Sequence, residues 1–315
     1  SGLAKGRGGG LLCLRLNQGL RMVFRTYFIL LLFSLTALSG SLVVGGAVAD
    51  VGKDTPDSGR LNPPEQSWFP KAPSLPAADG ATVEVSDVPG LIAALSNATP
   101  GQTILLADGH YMMDRYVEIS ADNVTLRSAS GRRQRVIIDG ANSRHRELIG
   151  ISACSGVTIA DLTIQNIRCN GFKINSDTNV QKLTIYNCII HNIWQRGVKG
   201  VKVPKQNRAA ERPKDCRIQY CLFYNDRPKR LSDDPSDIAE GNYIAGIDVM
   251  YATDWIISDN VFVGIQGRTF EGRGAIFIWH DSQDCIIERN IIIDCDVGLQ
   301  LGNPHRDSET TYHCV

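Results

Sequence analysis

The chain has 315 residues, 43% of them hydrophobic, and its 33 lysines and arginines balance its 33 aspartates and glutamates. This balance excludes a protein that binds nucleic acid or an anionic membrane through an overall positive charge. The length allows one large domain or two small ones.

An export signal is predicted near the start of the chain. Residues 22–49 combine a basic start at Arg25, an apolar core over residues 27–38 and a small-residue motif that ends at Ala49. A transmembrane anchor is the alternative, but the apolar core is short for a helix that spans a bilayer. We therefore expect a secreted, periplasmic or cell-surface protein with no membrane segment in its mature form.

The other N-terminal segments predict no compact fold. Residues 1–21 precede Met22, so we interpret them as upstream and unstructured. Residues 50–80 hold six of the chain's 13 prolines and predict a linker. Residues 81–315 form the predicted domain, and we expect it to be truncated at its C-terminus because the repeat pattern still continues at Leu301.

The predicted domain opens with one short helix and a series of strands. The segment VPGLIAALSNA, residues 88–98, predicts an amphipathic helix that would cover the open first coil of a solenoid. Short runs rich in β-branched residues then predict strands at residues 116–119, 123–128, 135–140 and 148–152.

Five later segments repeat one pattern of short β-rich runs. Their leading residues are Ile159, Ile185, Ile218, Ile257 and Ile287, spaced 26, 33, 39 and 30 residues apart. Each is followed by a strand led by glycine, at Gly171, Gly197, Gly246, Gly274 and Gly298. Repeats of this length predict an all-β solenoid, in which each coil buries its apolar faces against neighbouring coils.

The nine cysteines do not predict a metal site. No CxxC pair occurs, so a zinc site has little support. The fourth position of the repeat is occupied in turn by Leu162, Cys188, Cys221, Asn260 and Asn290. Export would permit disulfides, but we interpret Cys188 and Cys221 as members of a stack of like residues.

With these repeats the chain resembles the right-handed parallel β-helix proteins of the pectate-lyase-like superfamily over residues 84–303. The phrase PGQTILLADGHY, residues 100–111, is similar to the opening of the alginate and chondroitin lyases of polysaccharide lyase family 6. The resemblance implies a right-handed parallel β-helix with a short N-terminal capping helix, acting on carbohydrate. The acidic, lysine-containing calcium motif of family 6 is not recognisable, so no catalytic residue is transferred from that family.

Insertions of uneven length predict where a groove lies. They occur beside the glycine-led strands, at residues 201–215, 227–245 and 266–273. In a solenoid, insertions at matching positions accumulate on one face, which is often the binding face. Variation of loops without a function is the alternative.

Strand alternation predicts which side chains of the glycine-led strands face that groove. Facing the core, we expect Phe172, Ile174, Val198, Ile247, Val249, Ala275, Phe277, Leu299 and Leu301. Facing outward, one per coil, we expect Lys173, Lys199, Asp248, Ile276 and Gln300.

These outward residues and their neighbours suggest the chemistry of β-elimination from a uronate. Such a reaction needs a base at C5, for which Lys173 or Lys199 is the candidate, with His280 as another proton carrier. It also needs the adjacent carboxylate neutralised, a role for Arg273. Asp248 and Glu271 are candidate ligands of a Ca²⁺ ion.

Substrate contacts are expected from Arg196 and Gln300, and the expected partner is an acidic, uronate-containing polysaccharide bound by a monomer.

Two other functions stay open. A non-catalytic carbohydrate-binding or surface β-helix is possible because fold does not fix function. A β-helix glycoside hydrolase would need paired carboxylates, but the floor supplies only Asp248, and we expect the acidic segment 233–237 to be a solvated loop. For His280, a hydrogen bond to Asp281 is the structural alternative.

Overall fold

A computed structural model describes residues 65–303 and 309–315, and these residues form three parallel β-sheets with few helices. The predicted signal peptide and upstream segment, and residues 50–64 of the predicted linker, lie outside the described residues. Among the residues described, no helix is both long and apolar enough to cross a membrane. The right-handed parallel β-helix that the sequence predicts is confirmed.

The strands of the described chain are, in order, β1 (Thr82–Val85), β2 (Thr103–Leu106), β3 (Gly109–Met112), β4 (Val117–Ile119), β5 (Thr125–Ser128), β6 (Val136–Asp139), β7 (Glu147–Ile151), β8 (Thr158–Ala160), β9 (Thr163–Ile167), β10 (Asn170–Ile174), β11 (Thr184–Tyr186), β12 (Ile189–Ile193), β13 (Arg196–Gly200), β14 (Arg217–Gln219), β15 (Leu222–Tyr224), β16 (Ala245–Met250), β17 (Ile256–Ser258), β18 (Val261–Val263), β19 (Gly274–Trp279), β20 (Ile286–Glu288), β21 (Ile291–Ile293) and β22 (Val297–Leu301). The helices are α1 (Val88–Ser96) and α2 (Arg208–Glu211), with 3₁₀ turns at Ser176–Thr178 and Leu231–Asp233.

Each coil of the solenoid contributes one strand to each sheet. Sheet 1 has the order β1-β2-β5-β8-β11-β14-β17-β20, sheet 2 has the order β3-β6-β9-β12-β15-β18-β21, and sheet 3 has the order β4-β7-β10-β13-β16-β19-β22. The leading isoleucines pair in register along sheet 1, from Ile159 through Ile185, Ile218 and Ile257 to Ile287. The repeat therefore sets the register, because a slip by one residue would turn every apolar side chain outward.

The turn between sheets 1 and 2 is compact in every repeat, as predicted. One residue of each turn adopts the left-handed conformation, with φ between 49° and 60°, and these residues are Asp161, Asn187, Tyr220, Asp259 and Arg289. The next residue is the fourth position of the repeat, and its side chain turns into the core. There the Cys188 amide lies 3.5 Å from the Cys221 sulfur, and the Cys221 amide donates to Asn260 Oδ1 at 2.9 Å. The predicted stack is confirmed, with both cysteines as free thiols.

Replacing Asn260 by alanine should destabilise the protein by roughly 2–5 kcal/mol, because two buried backbone groups lose their partners. The fully buried Asn260 amide donates to the Ile218 carbonyl at 2.8 Å and accepts from the Cys221 amide. Denaturant unfolding measures the loss, and the exposed Asn142→Ala variant is the control, expected to stay within about 0.5 kcal/mol of the parent. Equal stabilities for the two variants would contradict the ladder.

The capping helix is present as predicted. Asp87 caps α1 by accepting from the Gly90 amide at 2.7 Å, and Leu91 and Leu95 join the core of the first coils. The described part of the predicted linker lies along the outside of the solenoid. Phe69 is buried against sheet 2, and Pro73 accepts a hydrogen bond from the Tyr186 hydroxyl at 2.8 Å.

Two predictions about the core face of sheet 3 are corrected. Ile276 lies in the core and Phe277 takes the outward position, because Ile247 pairs with Ile276 and Asp248 pairs with Phe277. Leu299 and Leu301 are 50% and 47% exposed, since no described strand pairs with the far side of β22.

Candidate functional site

The outer face of sheet 3 carries a column of polar side chains. Lys173 on β10 pairs with Lys199 on β13, and Lys199 pairs with Asp248 on β16. Parallel neighbours are about 4.8 Å apart, so the register alone brings these three side chains together. Gln300 is in the same column but two strands beyond Asp248, next to Phe277.

Close packing below this column explains why glycine leads its strands. A Cβ on Gly246 would lie 2.6 Å from the Ala275 carbonyl oxygen and 2.7 Å from the Phe262 ring. Phe262 in turn stacks on Phe223 in the neighbouring coil, with ring centroids 4.6 Å apart. The glycine thus lets aromatic core residues approach the back of sheet 3 and fixes the height of its floor.

Asp248 is the centre of a buried charge cluster. It is fully buried, and its carboxylate accepts from Lys199 Nζ at 2.8 Å and from Arg196 Nε at 3.2 Å. The Trp279 indole N–H at 2.9 Å and the Tyr243 hydroxyl at 3.2 Å complete its partners. All of these donors point at one carboxylate, so the cluster is held rigidly in the wall of the groove.

Burial and neighbouring charges shift the pKa values of Lys199 and Asp248. Burial lowers the pKa of Lys199, and the attraction of Asp248 opposes this effect without cancelling it. Burial by itself would raise the pKa of Asp248, but Lys199 and Arg196 outweigh it and hold the pKa below its ordinary value. The arrangement therefore keeps a carboxylate beside an amine that loses its proton more easily than an exposed lysine.

A cavity of about 370 Å³ opens over these residues. Its lining includes Lys173, Arg196, Lys199 and Tyr243, together with Ser236 and Ile238 from the loop 227–245. The loop 266–273 packs against this loop through hydrogen bonds such as Asn242 Nδ2 to Thr269 Oγ1 at 2.9 Å. The insertions thus form a wall beside sheet 3, as the sequence predicted.

Lys173 and Lys199 differ in their surroundings. Lys173 Nζ contacts Glu147 Oε2 at 2.9 Å, and both side chains remain about one quarter exposed. Lys199 is 7% exposed and is one of the residues that line the cavity. Lys173 is thus placed to bind a ligand, whereas Lys199 is placed to exchange a proton in a nearly dry environment.

Two other predicted site residues, Arg273 and His280, lie at the margins of the cluster. The Arg273 guanidinium is 5.7 Å from the centre of the Tyr243 ring, whereas Arg196 lies at 3.7 Å from it. His280 stacks on Trp279 at 4.1 Å, and its Nδ1 accepts from the Glu309 amide at 3.2 Å, in place of the hydrogen bond to Asp281 that was the structural alternative. Burial lowers the pKa of His280, with Glu309 opposing.

The residues predicted to bind calcium do not form a fitting donor set. Both Asp248 oxygens accept hydrogen bonds from cations, and Glu271 contacts the Thr269 hydroxyl at 2.8 Å in an exposed loop. Ca²⁺ requires six to eight oxygen ligands. Within residues 65–303 and 309–315, no group of three or more His, Cys, Asp or Glu side chains is placed to hold a metal ion. We therefore derive no step through calcium.

The acidic segment 233–237 is not the solvated loop that we expected. Asp234 is 1% exposed and accepts from Arg146 Nη2 at 3.1 Å and from Gln195. Asp237 forms a pair with Lys229 at 2.6 Å, in which both side chains are fully buried. Asp237 also accepts from the Tyr243 amide at 3.1 Å, so the pair holds the tyrosine that covers Arg196. Nothing in the local sequence indicated these partners.

No family model and no curated protein matches the sequence. Among solved structures, an alginate lyase from Paenibacillus sp. str. FPU-7 is similar, with a TM-score of 0.50 and 15% identity over 72% of this chain and 83% of that chain. A pectate lyase has a TM-score of 0.38 and 12% identity, over 62% of this chain and 56% of its own. A variant of an alginate lyase of family PL6 has a TM-score of 0.39 and 12% identity, over 79% and 42%. The first similarity, together with the three parallel sheets, shows that this chain has a parallel β-helix fold.

Proposed function

We propose that the protein is an exported polysaccharide lyase that cleaves an acidic, uronate-containing polysaccharide by β-elimination in the groove over sheet 3. One observation supports this proposal most directly. Lys199 is buried, its pKa is lowered, and it lines a cavity that further cations also line. The fold shared with an alginate lyase is compatible with this function but does not fix it. Export is inferred from residues 22–49, and the protein is expected to act as a monomer.

In this proposal Lys199 is the general base. Its neutral amine takes the proton from C5 of the uronate, the C5–H electron pair forms the C4–C5 double bond, and the C4–O bond breaks. Lys173 and Arg196, which line the same cavity, neutralise the uronate carboxylate and so stabilise the developing negative charge. This assignment replaces Arg273, which is not among the residues that line this cavity. The leaving oxygen takes a proton from a water molecule in the open cavity, since the Tyr243 hydroxyl donates to Asp248.

The test is a panel of alginate, pectate and chondroitin incubated with the purified protein, with and without a calcium chelator. Elimination produces an unsaturated uronate, which is detected by its ultraviolet absorbance. New reducing ends without that absorbance indicate hydrolysis and contradict the proposal. Loss of activity in chelator would show that a metal ion takes part and that the donor set described above is incomplete.

The rate of elimination should rise with pH if Lys199 is the base. The pKa of Lys199 is lowered from 10.5 by burial, so its neutral fraction grows with pH, at a lower pH than for an exposed lysine, and then levels off. The measurement is kcat/KM against pH for the parent protein. A rate that falls over the alkaline range would instead indicate that a protonated group limits the reaction, and would contradict Lys199 as the base.

A binding protein without catalysis is the second candidate. The observation in its favour is the ion pair of Lys199 with the fully buried Asp248 at 2.8 Å, because a lysine held as an ammonium cannot accept a proton. Binding of uronate polymers without new chain ends would support this alternative. Hydrolysis is disfavoured, since Asp248 is buried and shared by two cations rather than open to substrate.

A further inference from the structure

The groove continues beyond the proposed catalytic cluster, toward the N-terminal coils. The cavity that contains the cluster shares Arg146 and Glu147 with a second cavity of about 410 Å³. The second cavity shares Tyr116, Arg144 and His145 with a third of about 550 Å³. The three cavities therefore form one trough, and we name the part beyond Arg146 the N-terminal trough.

An aromatic ring forms the floor of the N-terminal trough. Gly150 on β7 is the position that pairs with Lys173 on β10, so it belongs to the same outward column. A Cβ on Gly150 would lie 1.6 Å from the Tyr116 hydroxyl oxygen, which means that the phenol ring lies directly over this glycine. The Tyr116 hydroxyl donates to Glu118 Oε2 at 2.7 Å and is thereby fixed in place. The half-buried ring offers an apolar surface of the kind on which a sugar packs.

Positive charge lines the walls of the N-terminal trough. Arg144 and His145 are exposed, and neither side chain has a hydrogen bond or ion pair within the described residues. Arg146 contacts Asp234 at 3.1 Å with a single nitrogen, and its side chain is still 45% exposed. Two acidic neighbours are paired with cations, Asp114 with Arg115 at 2.8 Å and Glu147 with Lys173, and a third, Glu118, accepts hydrogen bonds from the Tyr116 hydroxyl and the Asn175 amide. The guanidinium groups of Arg144 and Arg146 are therefore available to an anionic ligand, with His145 beside them as a further hydrogen-bonding group.

We propose that the N-terminal trough binds further anionic sugar units of the same polysaccharide, so that affinity grows with chain length. Three inter-strand steps, each about 4.8 Å, separate β13 from β4, which places the two ends roughly 14 Å apart along the solenoid. A single sugar cannot contact both ends, but an extended polyanion can. This inference takes only the class of ligand, an acidic polysaccharide, from the proposed function. It requires that the protein bind the polysaccharide, but not that it cleave it.

The double variant Arg144→Ala/His145→Ala tests this proposal in a Lys199→Arg background, which is expected to prevent turnover during the measurement. We expect the Kd for alginate or pectate polymer at low salt to rise about tenfold, because two exposed contacts are lost. The Kd for a disaccharide of the same uronate, which is too short to reach from the cluster into the N-terminal trough, should not change. The control is Arg217→Ala, an exposed arginine on β14 in sheet 1, with no expected effect on either ligand.

Unchanged polymer affinity in the double variant would overturn the proposal, as would an equal loss in the Arg217 control. Chondroitin sulfate is measured in parallel, and a loss confined to it would assign the trough to sulfate groups rather than carboxylates. The two proposals fail separately. A Lys199 variant that still cleaves removes the proposed base but leaves the binding result intact, whereas normal polymer binding by the double variant removes only the N-terminal trough.

Discussion

Replacing Lys199 by methionine should lower kcat/KM for uronate elimination by about 10²- to 10⁴-fold, the usual contribution of a positioned general base. Lys199 Nζ is buried, lies 2.8 Å from Asp248 and reaches the groove cavity. Methionine fills a similar volume but cannot accept a proton. The readout is the initial rate of unsaturated uronate formation at several substrate concentrations. Lys182→Met, an exposed lysine next to sheet 1, is the matched control and should retain full activity.

The variant Lys199→Arg separates the role of base from the role of ion pair. Arginine keeps the positive charge beside Asp248 but stays protonated at any accessible pH. The protein should therefore remain folded, with an unfolding midpoint near that of the parent, while elimination is lost as in the methionine variant. Activity of Lys199→Arg within tenfold of the parent would contradict the assignment of Lys199 as the general base. A loss in Lys199→Met together with unfolding would say only that the ion pair is structural, which is why both variants are needed.

Replacing Lys229 by methionine should destabilise the protein by about 3–5 kcal/mol, because it leaves the buried Asp237 carboxylate without its counter-charge. Lys229 Nζ lies 2.6 Å from Asp237 Oδ2, and both side chains are fully buried. For a domain of this size, such a loss lowers the unfolding temperature by roughly 6–20 °C. Calorimetry measures this shift, and hydrogen exchange of the loop 227–245 tells whether the loop opens before the solenoid does.

The matched double variant Lys229→Met/Asp237→Leu removes both charges and should recover much of the lost stability, since no unpaired charge is left buried. The surface pair Arg268–Glu240, at 3.7 Å with Glu240 85% exposed, is the control. Arg268→Met should cost less than about 1 kcal/mol. If Lys229→Met is no worse than Arg268→Met, the buried pair does not stabilise the loop.

Tyr243 connects the buried pair Lys229–Asp237 to the groove. Its amide donates to Asp237, and its ring covers the Arg196 guanidinium at 3.7 Å. A loop released by Lys229→Met would therefore also uncover Arg196, and the affinity of the groove for substrate should fall along with stability. A loss of affinity in Lys229→Met that is absent in Arg268→Met would link the buried pair to the shape of the groove.

The sequence by itself determined the solenoid and most of its register. Leading isoleucines and glycine-led strands recur at intervals of one coil, and stacked coils align like positions because a parallel neighbour lies directly beside each strand. This regularity was enough to place Lys173, Lys199 and Asp248 in one column and to put the variable loops beside it. Local pattern suffices for such features because each coil depends mainly on its immediate neighbours.

Only the tertiary structure decided the details that depend on a single register step or on distant partners. β19 was aligned on Gly274, but Ala275 is the residue level with Gly246, and this one-residue offset exchanges the faces of Ile276 and Phe277. Likewise, the pair Lys229–Asp237 and the position of Tyr116 over Gly150 are contacts of loops with no periodic pattern. In a strand, the alternation of apolar and polar residues predicts which side chains face the core. In a loop, burial depends on the segments that pack against it, and the local sequence does not predict it.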